Sequence, residues 1–111
     1  MLLAEFSIWP MDKGESVGAY VARCLDIIDR SGLPYKLGPL GTCIEGEWDE
    51  VMALVKRCHE QARTGSSHVM TTVRIEDEAG ATNKLNENIA PVERAVGHKL
   101  QRPMVVQSAS H

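Results

Sequence analysis

The chain has 111 residues, enough for one domain and too few for a comfortable second. Hydrophobic residues make up 43% and charged residues 24%, with a formal net charge of −3, the balance of a soluble globular protein. That charge argues against general nucleic-acid affinity, which needs clustered Lys and Arg, and no apolar run approaches the roughly 20 residues that span a bilayer.

"MLLAEFSIWP" has no basic leader and carries Glu5, so it reads as a poor signal peptide and the chain as cytoplasmic. Within it residues 2–9 alternate. Leu2, Ala4, Phe6 and Ile8 share one face, and Leu3, Glu5, Ser7 and Trp9 the other, which predicts a first strand ended by Pro10. Ser16 is placed to cap a helix whose inner face is Val17, Tyr20, Val21, Cys24, Leu25 and Ile28. Asp26, Asp29 and Arg30 fall on its wet side, Gly32 offers a left-handed end, and Pro34 prevents continuation.

Tyr35 to Leu40 is expected as a short strand, an edge strand because Pro39 cannot donate to a ladder. Gly41 turns the chain into a further strand, Thr42 to Gly46. A second helix follows with Trp48, Val51, Met52, Val55, Cys58 and Ala62 on its inner face. Glu47, Asp49 and Glu50 lie at its positive end, and Lys56, Arg57 and Arg63 toward its negative end, before Gly65 stops it. Ser67 to Glu78 reads as a long strand and "DEAGATN" as a turn. The run "KLNENIAPVERAVGHKL" reads as a last helix that Pro91 either kinks or opens. These elements make one domain over 1–100, and residues 101–111 form a loosely held tail.

The order β-α-β-β-α-β plus a C-terminal helix is the ferredoxin-like, α+β plan, with a four-stranded antiparallel sheet and both main helices on one face. Strands one and three are then central. The other face carries Leu3, Trp9, Met70 and Cys43, and a second subunit is the simplest cover for it. Glu5 and Glu45 share that face on adjacent strands, where two carboxylates need a cation or a shared proton.

Several readings compete for those carboxylates. They pair with Arg74, Lys36 or a partner's basic group to set a dimer register, or they face a pocket for a small cationic or amine-bearing ligand. An enzyme reading would use His68 or Glu45, as an isomerase or a cofactor-free oxygenase, and a purely structural or regulatory role is also open. The motifs for catalysis are missing: there is no G-x-S-x-G elbow, no H-E-x-x-H and no phosphate-binding glycine loop before a helix. Cys24, Cys43 and Cys58 show no C-x-x-C pairing, and Cys24 and Cys58 fall on apolar helical faces as small core residues. No catalytic residue, metal site or cofactor is assigned, and the sheet lacks the paired aromatics of an RNA-binding module.

The stretch "ESVGAYVARCLDIIDRSGLPYKLGPLGTCIEGEWDEVMALVKRCHE" resembles the thiamine-binding, YkoF-like family. Its central pattern, Y-x-L-x-P-x-G-T-x-I-E-G, is matched by Tyr35, Leu37, Pro39, Gly41, Thr42, Ile44, Glu45 and Gly46, and the similarity spans roughly residues 3 to 100. The resemblance implies a ferredoxin-like subunit that associates through its sheets into dimers, often dimers of dimers. It implies a non-catalytic binder of thiamine or its hydroxymethylpyrimidine moiety. Gly41 would then give the tight turn, and Thr42 and Glu45 would present a hydroxyl and a carboxylate to the ligand. Glu5 and Ser7 are further candidates on the open face, and Trp9 or Tyr35 would stack on a ring or cation. Many relatives carry an arginine soon after an acidic pair that follows strand four, where this chain reads "IEDEAGATN".

Overall fold

A computed structural model of the chain describes residues 1–12, 17–38, 40–87, 89–101 and 105–106, with the backbone alone for 17–20 and 105–106. The elements are β1 (Leu2–Pro10), α1 (Val17–Arg30), β2 (Tyr35–Leu37), β3 (Thr42–Gly46), α2 (Trp48–Gly65), β4 (Val69–Glu76), α3 (Lys84–Glu87), α4 (Ala90–Val96) and β5 (Val105–Val106). The antiparallel sheet runs β4-β1-β3-β2, the ferredoxin-like order, and β5 adds at the outer edge of β2.

Alternation in β1 sets the core. Leu2, Ala4, Phe6 and Ile8 are buried on one face with Ile44 of β3, and Val51, Leu54, Val55, Cys58 and Ala62 of α2 pack over them. Cys24 and Ile28 of α1 complete the cluster. Each fully buried aliphatic side chain contributes roughly 1.5–3 kcal/mol, which decides the register: a one-residue slip would send every one of these groups to the other face. Gly32 adopts φ +85° after α1, the left-handed end its position predicts. At the start of α2 the Glu50 carboxylate accepts from the Glu47 amide at 3.2 Å, and Arg63 in the last turn donates to the Ser66 carbonyl at 2.6 Å.

Several expectations change. Trp48, read as an inner-face residue, is 54% exposed. It opens α2 two residues after β3 ends, and side chains in a first turn lean back toward the N-terminus, past the end of the sheet. β2 closes at Leu37 and β4 spans Val69–Glu76, both shorter than the runs expected from the pattern. The single C-terminal helix is two, α3 and α4, and Pro91 stands in the first turn of α4, where its missing N–H costs nothing. Gly97, at φ +91°, ends α4 and donates to the Glu93 carbonyl at 2.8 Å. Within the stretch 101–111, Val105 and Val106 pair with Lys36 and Tyr35. The expected cap Ser16 and the edge-strand Pro39 lie outside the described residues.

Candidate functional site

The stretch Tyr35–Gly46 folds as a hairpin, with Leu37 paired to Thr42 and the Gly38 amide donating to the Gly41 carbonyl at 2.9 Å. Gly41 lies so close to β1 that a Cβ on it would stand 3.0 Å from the Phe6 carbonyl oxygen, a contact the strand backbone would have to relieve by shifting. This turn forms one lip of a cavity of about 270 Å³ between α1 and the far end of β1. Phe6 and Ile8 floor it, Val21, Leu25 and Ile28 of α1 wall it, and Leu37, Gly38, Leu40, Gly41 and Thr42 supply the lip. No described lining residue carries a charge.

Three of the six expected site residues meet there: Thr42, Ser7 and Trp9. Thr42 stands opposite Phe6 in the ladder, on the helix-bearing face, and is 8% exposed. Among the described residues its hydroxyl has no hydrogen-bond partner, although a buried hydroxyl normally has one. Trp9, 42% exposed, stands at the rim. Cys24 also lines the cavity. Its thiol neighbour Cys58 is held well above its ordinary pKa, first by its contact with Cys24 and then by burial, so it stays a protonated packing group.

Glu45 lies elsewhere. It stands opposite Leu3, three positions from Thr42 and therefore on the opposite face of the sheet, as alternation requires. There α3 covers it and leaves it 2% exposed. Its carboxylate accepts from the Lys84 amide at 2.7 Å and the Leu85 amide at 3.4 Å, while the buried Lys36 ammonium donates to the Leu85 carbonyl. A buried carboxylate that accepts amide protons and a buried ammonium that meets a carbonyl both avoid the penalty of an unsatisfied charge. Sequence reasoning missed this clasp. Its one signal is the apolar Leu85 in a polar segment, opposite a strand pair that alternates Lys36 and Glu45 onto one face.

Glu5 meets Arg74 at 3.8 Å on the open face, as the ion-pair reading anticipates, and Cys43 donates a weak thiol contact to Glu5 at 3.8 Å. Burial, then the Glu5 charge, raises the Cys43 pKa. These side chains line a second hollow of about 250 Å³ with Leu3, Ile75 and Glu76. Tyr35 is buried against the core and donates to Asp29 at 3.3 Å; burial first, and Asp29 second, raise its pKa. It reaches neither hollow. His59 contacts the Thr71 hydroxyl at 2.6 Å, and His68 is exposed just before β4 begins. Among the described residues no group of three or more His, Cys, Asp or Glu is arranged to hold a metal ion, and no helix is long and apolar enough to cross a membrane.

Comparison with known proteins places this geometry in context. A UPF0045 protein of Synechocystis is 33% identical over 93 residues, which cover 83% of this chain and 77% of that protein. A UPF0045 protein of Mycobacterium bovis is 34% identical over 94 residues, 84% of this chain and 92% of its own length. Among solved structures, a hypothetical protein of Methanocaldococcus jannaschii superimposes with a TM-score of 0.75 at 26% identity, covering 88% of this chain and 97% of the other. A Thermotoga maritima protein proposed to act in thiamine biosynthesis or salvage shares the fold, with a TM-score of 0.70 at 22% identity over 82% of this chain and 97% of the other. The family model described as "Thiamine-binding protein" matches residues 4–93, turn, cavity floor and α3 clasp included, and the chain belongs to that family.

Proposed function

We propose that the protein binds thiamine or its hydroxymethylpyrimidine moiety, without catalysis, in the cavity lined by Thr42, Gly41 and Gly38. The observation that carries this reading is Thr42: a hydroxyl that is 8% exposed, lines the cavity and lacks a protein partner among the described residues. A ligand atom that completes its hydrogen bonding removes a desolvation cost the free protein carries. The family match supports the ligand class. The cavity of about 270 Å³ suits a single ring with short substituents, near the lower end of small-molecule pockets.

The lining, uncharged among the described residues, decides the orientation. Burying an unpaired cation costs far more than a neutral ring. The neutral aminopyrimidine therefore enters, and the cationic thiazolium stays at the solvent-exposed mouth. Glu45, spent on α3, belongs to the support of the fold in this reading, and Glu5 with Arg74 belongs to the open face. We place the working form in the cytoplasm as a homo-oligomer, a dimer or a dimer of dimers.

Calorimetric titration with thiamine and with hydroxymethylpyrimidine tests the ligand. Binding by either, with no consumption of the compound on incubation, is the expected result. Thr42→Val, which keeps the shape and removes the hydroxyl, should weaken binding by about 0.5–1.5 kcal/mol, roughly two- to tenfold in Kd. Absence of binding by both at millimolar concentration overturns the reading, and turnover of either compound would replace it with an enzymatic one.

A further inference from the structure

The cavity lies against an unfinished strand edge. β1 pairs with β3 from Leu2 to Phe6, while on its other side it pairs with β4 as far as Pro10. Beyond Phe6, no described strand stands beside β1 on the β3 side, and Ser7, Ile8 and Trp9 line the cavity there. The main chain of a strand sends its N–H and C=O groups to alternate edges, residue by residue. The Phe6 carbonyl faces Gly41, on the β3 side, so alternation sends the Ile8 N–H and carbonyl to that same side. Ile8 is buried, and buried main-chain groups without partners are rare and costly.

We propose that this main-chain edge at Ile8, beside the Thr42 hydroxyl, is the recognition element of the cavity, and that it selects flat, neutral heteroaromatic ligands bearing a hydrogen-bond donor and an acceptor on one edge. The inference rests on the ligand reading above and deepens it. An amino group next to a ring nitrogen offers that pattern, and a strand edge offers its complement. The recognition is then written in backbone and survives side-chain changes in β1 that keep the fold. A peptide strand is the other occupant an open edge can take. Among the described residues the unpaired edge is only Ser7 to Pro10, and Pro10 has no N–H, which leaves too little ladder for strand addition.

Nitrogen-15 amide spectra of the full chain, titrated with hydroxymethylpyrimidine, provide the test alongside calorimetry. The Ile8 amide should show the largest shift within β1 and gain protection from hydrogen exchange. An analogue with methyl in place of the 4-amino group should bind at least tenfold more weakly. Calorimetric binding with the Ile8 amide unmoved, or equal binding of the methyl analogue, overturns the edge while leaving the ligand reading intact. No binding at all removes both. A shift of the same amides by an extended peptide, and not by the pyrimidine, would assign the edge to a strand partner and overturn the proposal.

Discussion

Single residues in this protein owe their roles to which side of a strand they stand on and to what closes over them. Thr42 and Glu45 are three positions apart in one short motif, yet one faces the helices and the other faces α3. Their difference in parity was readable in the sequence; that α3 would close over Glu45 was not, because a four-residue helix leaves almost no periodic signal. Asp12 shows a different residue-scale effect. It accepts from the Ser66 and Ser67 hydroxyls and from the Ser67 amide at 2.9 Å, joining the end of β1 to the start of β4. These hydrogen bonds, Ser66 first, hold its carboxyl well below the ordinary value of 3.8. A carboxylate whose folded pKa is depressed stabilises the folded state above its unfolded pKa, and that contribution is lost as the pH falls below 3.8 toward the folded value. Acid titration of denaturant stability should therefore show a steeper loss below pH 3.8 for the parent chain than for Asp12→Asn, whose amide does not titrate. Equal slopes for the two would remove the linkage.

At the scale of elements, strong periodicity and turn chemistry carried most of the fold. The β1 alternation, the α1 face with its Gly32 end and the acidic opening of α2 all follow from local pattern. What local pattern could not supply was tertiary: where a short helix docks, and that Val105–Val106 add to the β2 edge. The α3 clasp gives a prediction at this scale. Glu45 holds two main-chain amides at the start of α3, so Glu45→Gln replaces a charged acceptor by a neutral one and turns an N–H group toward a donor. Stability should fall by about 1–3 kcal/mol, read as a lower urea midpoint. Affinity for hydroxymethylpyrimidine, measured well below that midpoint, should change less than twofold. A large loss of affinity with unchanged stability would instead make Glu45 a ligand contact, and α3 an element that moves aside to expose it.

For the whole molecule, the open sheet face is the unfinished surface. Trp9 and Met70 stand opposite each other across β1 and β4, 42% and 53% exposed, and Leu3 and Cys43 continue the apolar strip toward β3. The Glu5–Arg74 pair sits within this strip at 3.8 Å. Ion pairs so placed are worth little to a monomer in water but fix register once a neighbour excludes solvent, because a displaced partner would leave a charge uncompensated. α3 covers only the Glu45 end, so the rest suits a second copy in face-to-face contact. Sedimentation at micromolar concentration should give a dimer or a larger even assembly. Met70→Asp places a carboxylate beside Trp9 within that contact, on the face of β4 opposite the helices, and should yield a folded monomer with an unchanged circular dichroism spectrum. If the parent chain sediments as a monomer, or Met70→Asp leaves the assembly intact, the open face is not the contact and the Glu5–Arg74 pair has no register to set.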